Sequence, residues 1–122
     1  MIEKQTGFSL IEVLIGLIFL AIGLLAMAGL QATSVRGNFF SNNLMQATYV
    51  AQDRLESLIN SPLDSASLQA GNYNPLPTVL SGVTFSQSYT VVVNGNLKTI
   101  NYTVTWNDGV NHNVTFSTIR SQ

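Results

Sequence analysis

The chain changes character abruptly after a polar leader, residues 1–7. Between Lys4 and Arg36 the only ionisable side chain is Glu12, and every residue of 13–30 is apolar or Gly. A segment that is apolar on all sides has no face to turn toward water, so it is predicted to be a helix in lipid. Residues 8–30 would reach about 34 Å at about 1.5 Å per residue, enough to cross a hydrocarbon layer about 30 Å thick with some tilt. Gly16, Gly23 and Gly29 interrupt the run. In a spanning helix such glycines are expected where a neighbouring helix packs closely, or where the helix yields once it leaves the bilayer.

Beyond Arg36 the pattern becomes amphipathic. Phe40, Leu44, Ala47, Ala51, Leu55 and Leu58 recur at the three- and four-residue spacing of one buried stripe, while Gln46, Asp53, Arg54 and Glu56 occupy the other face. The helix is therefore predicted to continue over 31–61, loosened at Gly37-Asn38 and stopped by Pro62. All three prolines fall within 62–77, and 62–78 reads as a connecting loop. The period then switches to two. Val83, Phe85, Tyr89 and Val91 share one parity, Asn94-Gly95-Asn96 supplies a hairpin, and Ile100, Tyr102, Val104 and Trp106 alternate with polar residues after it.

Register follows from keeping both apolar sets on one face. A two-residue loop at Asn94-Gly95 would pair Tyr89 with Ile100 and Phe85 with Val104. A loop of odd length at Asn107-Asp108-Gly109 would set Val114 and Phe116 against Val104 and Tyr102. The expected fold is α+β: a long N-terminal helix, membrane-spanning in its first half, packed by its second half on a three-stranded antiparallel meander over 79–122.

Composition narrows the function. Cys is absent, so no disulfide or cysteine metal site holds the chain, and charged residues are only 9% against roughly 25% in an average soluble domain. A formal net charge of −1 leaves no basic field for nucleic acid, and none is expected as a direct ligand. One His and six scattered carboxylates make a nucleophile–base pair or a metal cluster hard to assemble, so neither enzymatic activity nor a cofactor is expected. His112 reads as a turn residue beside Trp106, and Tyr102 and Trp106 as core. Asn101-Tyr102-Thr103 and Asn113-Val114-Thr115 match the glycosylation acceptor pattern, which Asn- and Thr-rich strands also produce by chance.

The leader ending in Gly7, followed at once by Phe8-Ser9-Leu10-Ile11-Glu12 and the apolar run, resembles the class III signal of type IV pilins and pseudopilins. Residues 21–34, and the closing Tyr102-Thr103-Val104-Thr105-Trp106-Asn107-Asp108-Gly109, are similar in particular to the PilV-like minor pilins. The resemblance implies cleavage between Gly7 and Phe8 by a prepilin peptidase, N-methylation of the new Phe8 amine by the same enzyme, and assembly with other minor and major pilins. It implies a single pass through the bacterial inner membrane before assembly, N-terminus cytoplasmic and C-terminal domain periplasmic. Many major pilins carry Pro in the apolar helix and a disulfide-closed loop; here the helix has glycines only and Cys is absent, the pattern of a reduced, minor subunit.

The residues themselves fit that processing. Gly7 lets the backbone lie flat in a protease groove. A carboxylate inside a spanning helix costs about 2.5 to 3.5 kcal/mol unless paired or interfacial, so Glu12 is expected either to snorkel to the headgroups beside the positive helix end or to neutralise the Phe8 amine of a neighbouring subunit. A secretory signal would instead be cut after the apolar run, at Ala26-Met27-Ala28, but this run exceeds the usual 7 to 15 residues and contains Glu12. The function expected is a minor pilin in the complex that primes assembly or sits at the tip. The alternatives are a minor pseudopilin of a type II secretion system and a tip-located binding module.

Overall fold

A computed structural model describes residues 7–122, so the leader read from the sequence lies outside the described residues except for Gly7. Helix α1 runs from Leu10–Ile59, fifty residues. Ser9 begins it: the Glu12 N–H donates to Ser9 Oγ at 3.3 Å, an Ncap-to-N3 bond. The loosening expected at Gly37-Asn38 is absent, and the helix continues without a break. It ends two residues short of Pro62, whose ring cannot enter a helix interior.

The chain divides into two compact units, Met1–Phe39 and Phe40–Gln122. Every described residue of the first is exposed. The second joins the end of α1 to five strands: β1 (Gly71–Tyr73), β2 (Thr78–Leu80), β3 (Val83–Asn94), β4 (Leu97–Asn107) and β5 (Asn111–Ser121). The sheet is antiparallel with order β1-β3-β4-β5, and β2 also pairs with β3. The α+β class is as expected, but there are five strands rather than three. The two additional ones fall in or at the border of the 62–78 segment and are three residues each, too short to display an alternation that sequence could reveal.

The expected β3–β4 register is displaced by two residues. Tyr89 pairs with Tyr102 and Val91 with Ile100, and the closing pair is Asn94 with Leu97. The loop is therefore Gly95-Asn96, not Asn94-Gly95. Gly95 at the first central position has φ +61° while Asn96 stays on the negative side, the pattern of a type II′ turn, which places Gly first. Because the shift is two, both apolar parities remain on one face. The β4–β5 loop has three residues, and Val114 and Phe116 pair with Val104 and Tyr102 as expected.

The apolar face of the sheet carries Phe85, Tyr89, Val91, Ile100, Tyr102, Val104 and Trp106, and α1 lays Ala47, Val50, Ala51, Leu55 and Leu58 on it. Leu68, from a short 3-10 turn (Ala66–Leu68), closes one end. Ala47 and Ala51 are wholly buried, so the helix lies on the sheet through its smallest side chains. Ala51→Leu is expected to force the two apart and cost about 1–3 kcal/mol, against less than about 0.5 kcal/mol for Gln52→Leu one position away on the exposed face. Denaturant midpoints of the detergent-solubilised chain would measure both.

Candidate functional site

The candidate site is the start of the first unit. Gly7, Phe8 and Ser9 precede the helix in non-helical backbone, and Phe8 is 83% exposed. A Cβ built on Gly7 would meet nothing within 4 Å, so the chain's own fold does not require glycine there. The same holds for Gly16, Gly23 and Gly29. At about 100° per residue, Glu12, Gly16 and Gly23 fall within about 40° of one another around α1, so the carboxylate stands at the head of a strip of low relief. Glu12 is exposed, and among the described residues its carboxylate has neither a hydrogen-bond partner nor an ion-pair partner. The surrounding side chains, Leu10, Ile11, Leu14 and Ile15, are apolar and exposed. α1 is the one helix among the described residues long and apolar enough to cross a membrane.

A second cluster closes the end of the sheet where α1 enters the second unit. Asn43, 1% exposed, donates from Nδ2 to Asp108 Oδ2 at 3.2 Å, and His112 Nε2 lies 2.9 Å from Asp108 Oδ1. The His112 ring is stacked on Trp106 with centroids 5.3 Å apart, and Phe40 closes over both. Desolvation pulls the Asp108 pKa upward, but the hydrogen bonds from Asn43 and His112, the His112 charge and a bond from the Val110 backbone outweigh it and leave the carboxyl below its ordinary value of 3.8. A depressed carboxylate pKa contributes stability above its unfolded value that is lost as pH falls through the folded one. Acidification below about pH 4 is thus expected to destabilise the parent more than Asp108→Asn. Thermal melts of the two between neutral and acid pH would show their curves converging.

Among the described residues no three His, Cys, Asp or Glu side chains come together as for a metal. An open depression of about 430 Å³ is lined by Thr84, Ser86, Thr105, Asn107, Asn111 and Asn113 of the outward parity together with Trp106 and His112, whose Nε2 is engaged with Asp108. Asn101 and Asn113, of the acceptor-like triplets, both belong to this outward parity. Tyr102 is core, as expected: burial raises its pKa to about 12, with Arg54 opposing and Tyr89 adding, and its hydroxyl donates to Gln87 Oε1. Trp106 is likewise buried.

Compared with known proteins, the chain matches no family model, no curated protein and no solved structure.

Some residues with structural roles escaped the sequence reading. Asn43, Gln87 and Lys98 are polar yet nearly fully buried. Gln87 shares the parity of Phe85 and Tyr89, and Lys98 that of Ile100; a polar residue on an apolar parity was the available signal. Ser9 could have been recognised from Ser-x-x-Glu ahead of an apolar run.

Proposed function

We propose that the chain is a minor pilin precursor, anchored through residues 8–30 in the bacterial inner membrane with its second unit in the periplasm. A prepilin peptidase cuts it between Gly7 and Phe8 and methylates the Phe8 amine. The mature chain then joins other minor and major pilins in the complex that primes a type IV pilus or sits at its tip. The observation that carries this reading is the combination at the head of α1: an accessible Gly7-Phe8 bond ahead of the helix, then an apolar helix exposed on all sides over its first half, with one carboxylate, unpartnered among the described residues, a turn inside it. The low-relief strip of Glu12, Gly16 and Gly23 supports a neighbouring helix approaching closely enough to bring an amine to that carboxylate. That Gly7 has open space around it in the chain's own fold supports a requirement arising elsewhere, in the protease.

Mass spectrometry of the mature chain tests this. The expected product begins at Phe8 and carries one added methyl group, and Gly7→Leu is expected to remain as full-length precursor in the membrane fraction. A product beginning at Gly29 would overturn the reading in favour of a secretory signal.

A further inference from the structure

β5 ends the sheet, and among the described residues nothing pairs with its outer edge. All eleven of its residues are in unbroken register with β4, so the strand has no bulge. Alternate residues therefore present an uninterrupted row of backbone N–H and C=O groups outward. Edge strands that must stay unpaired are ordinarily short, bulged, broken by Pro or guarded by charge. β5 has none of these features. Its two ionisable side chains both lie on the parity that faces the helix and are engaged there, His112 with Asp108 and Arg120 with the carbonyls of Leu58 and Ser61. The opposite parity, Asn111, Asn113, Thr115, Ser117, Ile119 and Ser121, is uncharged. The core is also unfinished on this side: Val114 and Phe116 pack against it but remain half-buried.

We propose that the outer edge of β5 is a docking site for an extended strand of a different protein. That strand adds to the sheet through main-chain hydrogen bonds, with apolar side chains over Val114 and Phe116 and uncharged polar ones on the outward face. A backbone edge recognises only extended backbone, which fixes the conformation of the occupant. A second copy of this chain does not fit. Parallel pairing of two β5 edges puts their apolar parities on opposite faces, so the copy would set polar residues such as Thr115, not apolar ones, beside Val114 and Phe116. Antiparallel pairing of two β5 edges needs a two-fold axis perpendicular to the sheet, which runs the two 40–59 helix segments in opposite directions. Two chains anchored in one bilayer leave it in the same direction; this step rests on the membrane-anchored reading above. Head-to-tail addition fails for another reason: the far end of the strand order is β1, which offers three residues against the eleven of β5.

The test uses the full chain in detergent micelles and a short synthetic peptide of alternating Thr and Val, with Lys at both ends for solubility. Saturable binding is expected, with slowed amide exchange confined to β5 and its neighbour β4. The same peptide N-methylated at every Thr and Val keeps its side chains but loses its N–H donors, and is expected to bind at least tenfold more weakly. Absence of saturable binding, equal binding of the N-methylated peptide, or protection in α1 or β1 in place of β5 would overturn the proposal. Because the chain has no Cys, Ser117→Cys introduces a single thiol beside the edge. Oxidation of this variant in native membranes is expected to give no homodimer, and a disulfide-linked pair of this chain would make the occupant a second copy. Failure of the peptide assay leaves the Phe8 product untouched, while a product beginning at Gly29 leaves the peptide assay readable and removes only the argument from anchoring.

Discussion

Glu12→Val is expected to leave membrane insertion and cleavage after Gly7 intact and to abolish entry into the filament or its priming complex. Insertion should improve if anything, because a carboxylate in a spanning helix costs about 2.5 to 3.5 kcal/mol that Val does not. The helix start should survive: Ser9 Oγ accepts from the backbone N–H of residue 12, which Val retains, and the lost charge–dipole attraction is about 0.3–1 kcal/mol. What Val cannot do is receive an amine. Phe8 lies ahead of the helix in non-helical backbone, so the helix does not hold its amine against Glu12 of the same subunit, whereas a neighbour displaced along the filament can bring amine and carboxylate into contact. At about 4 Å and an effective dielectric near 20 such a pair gains about 4 kcal/mol before desolvation is subtracted, close to the cost of placing the carboxylate there. The interaction would then set axial register more than it adds net stability. Co-purification of other minor pilins and pilus counts, each against the parent, measure the effect. Wild-type assembly of the Val variant would leave Glu12 an interfacial residue at a helix start.

The helix and the sheet face were legible for different reasons. Residues 13–30 lack any polar position and residues 40–58 repeat at helical spacing, so the type of element and its buried face were both determined locally, and Ala47, Ala51, Leu55 and Leu58 lie where that stripe puts them. The three long strands were equally plain from their two-residue period. Register was legible only to within two residues, because parity is preserved by any even shift; which of Asn94-Gly95 or Gly95-Asn96 forms the turn depends on Gly95 taking the first central position. β1 and β2 were not legible, since three residues held by an edge of β3 need no pattern of their own. At the candidate site Gly7 and Phe8 were singled out by the resemblance of the leader and Glu12 as the one ionisable residue of the apolar run, and the structure adds the Ser9 cap and the strip shared by Glu12, Gly16 and Gly23. The buried polar residues were hidden because their partners are distant in sequence: Asp108 for Asn43, Leu76 O, Thr78 and Tyr102 for Gln87, and two backbone carbonyls for Lys98.

Lys98 is the clearest of these, and its replacement has the largest effect expected in the second unit. It is 5% exposed on the helix-facing parity, and its ammonium donates to Leu63 O at 2.7 Å and Leu68 O at 3.0 Å. Its register partner on β5 is Arg120, whose Nη1 donates to Ser61 O at 2.6 Å and Leu58 O at 3.3 Å. Two cations side by side on adjacent strands would repel. Here both meet carbonyls: Arg120 takes those at the negative end of α1, whose last turn has no basic residue of its own, and Lys98 takes those of the segment that follows. The sheet thus supplies both the helix C-terminal cap and the anchor for the turn that seats Leu68 in the core. Lys98→Met keeps a long apolar stem but leaves two carbonyls without their charged donor, at a net contribution of about 1.5–3 kcal/mol for each such bond before the desolvation of the ammonium is recovered. A loss of about 2–4 kcal/mol is expected, with accelerated amide exchange at 62–70 ahead of β3 and β4. Arg120→Ala, more exposed and acting at the helix end, is expected to cost about 1–2 kcal/mol and to speed exchange at 57–61. Because the two side chains share a register pair, the double variant should lose more than the sum of the singles: each single variant already relieves the repulsion, which the double variant can relieve only once. Equal exchange rates at 62–70 in parent and Lys98→Met would show that the segment is held by Leu68 packing alone.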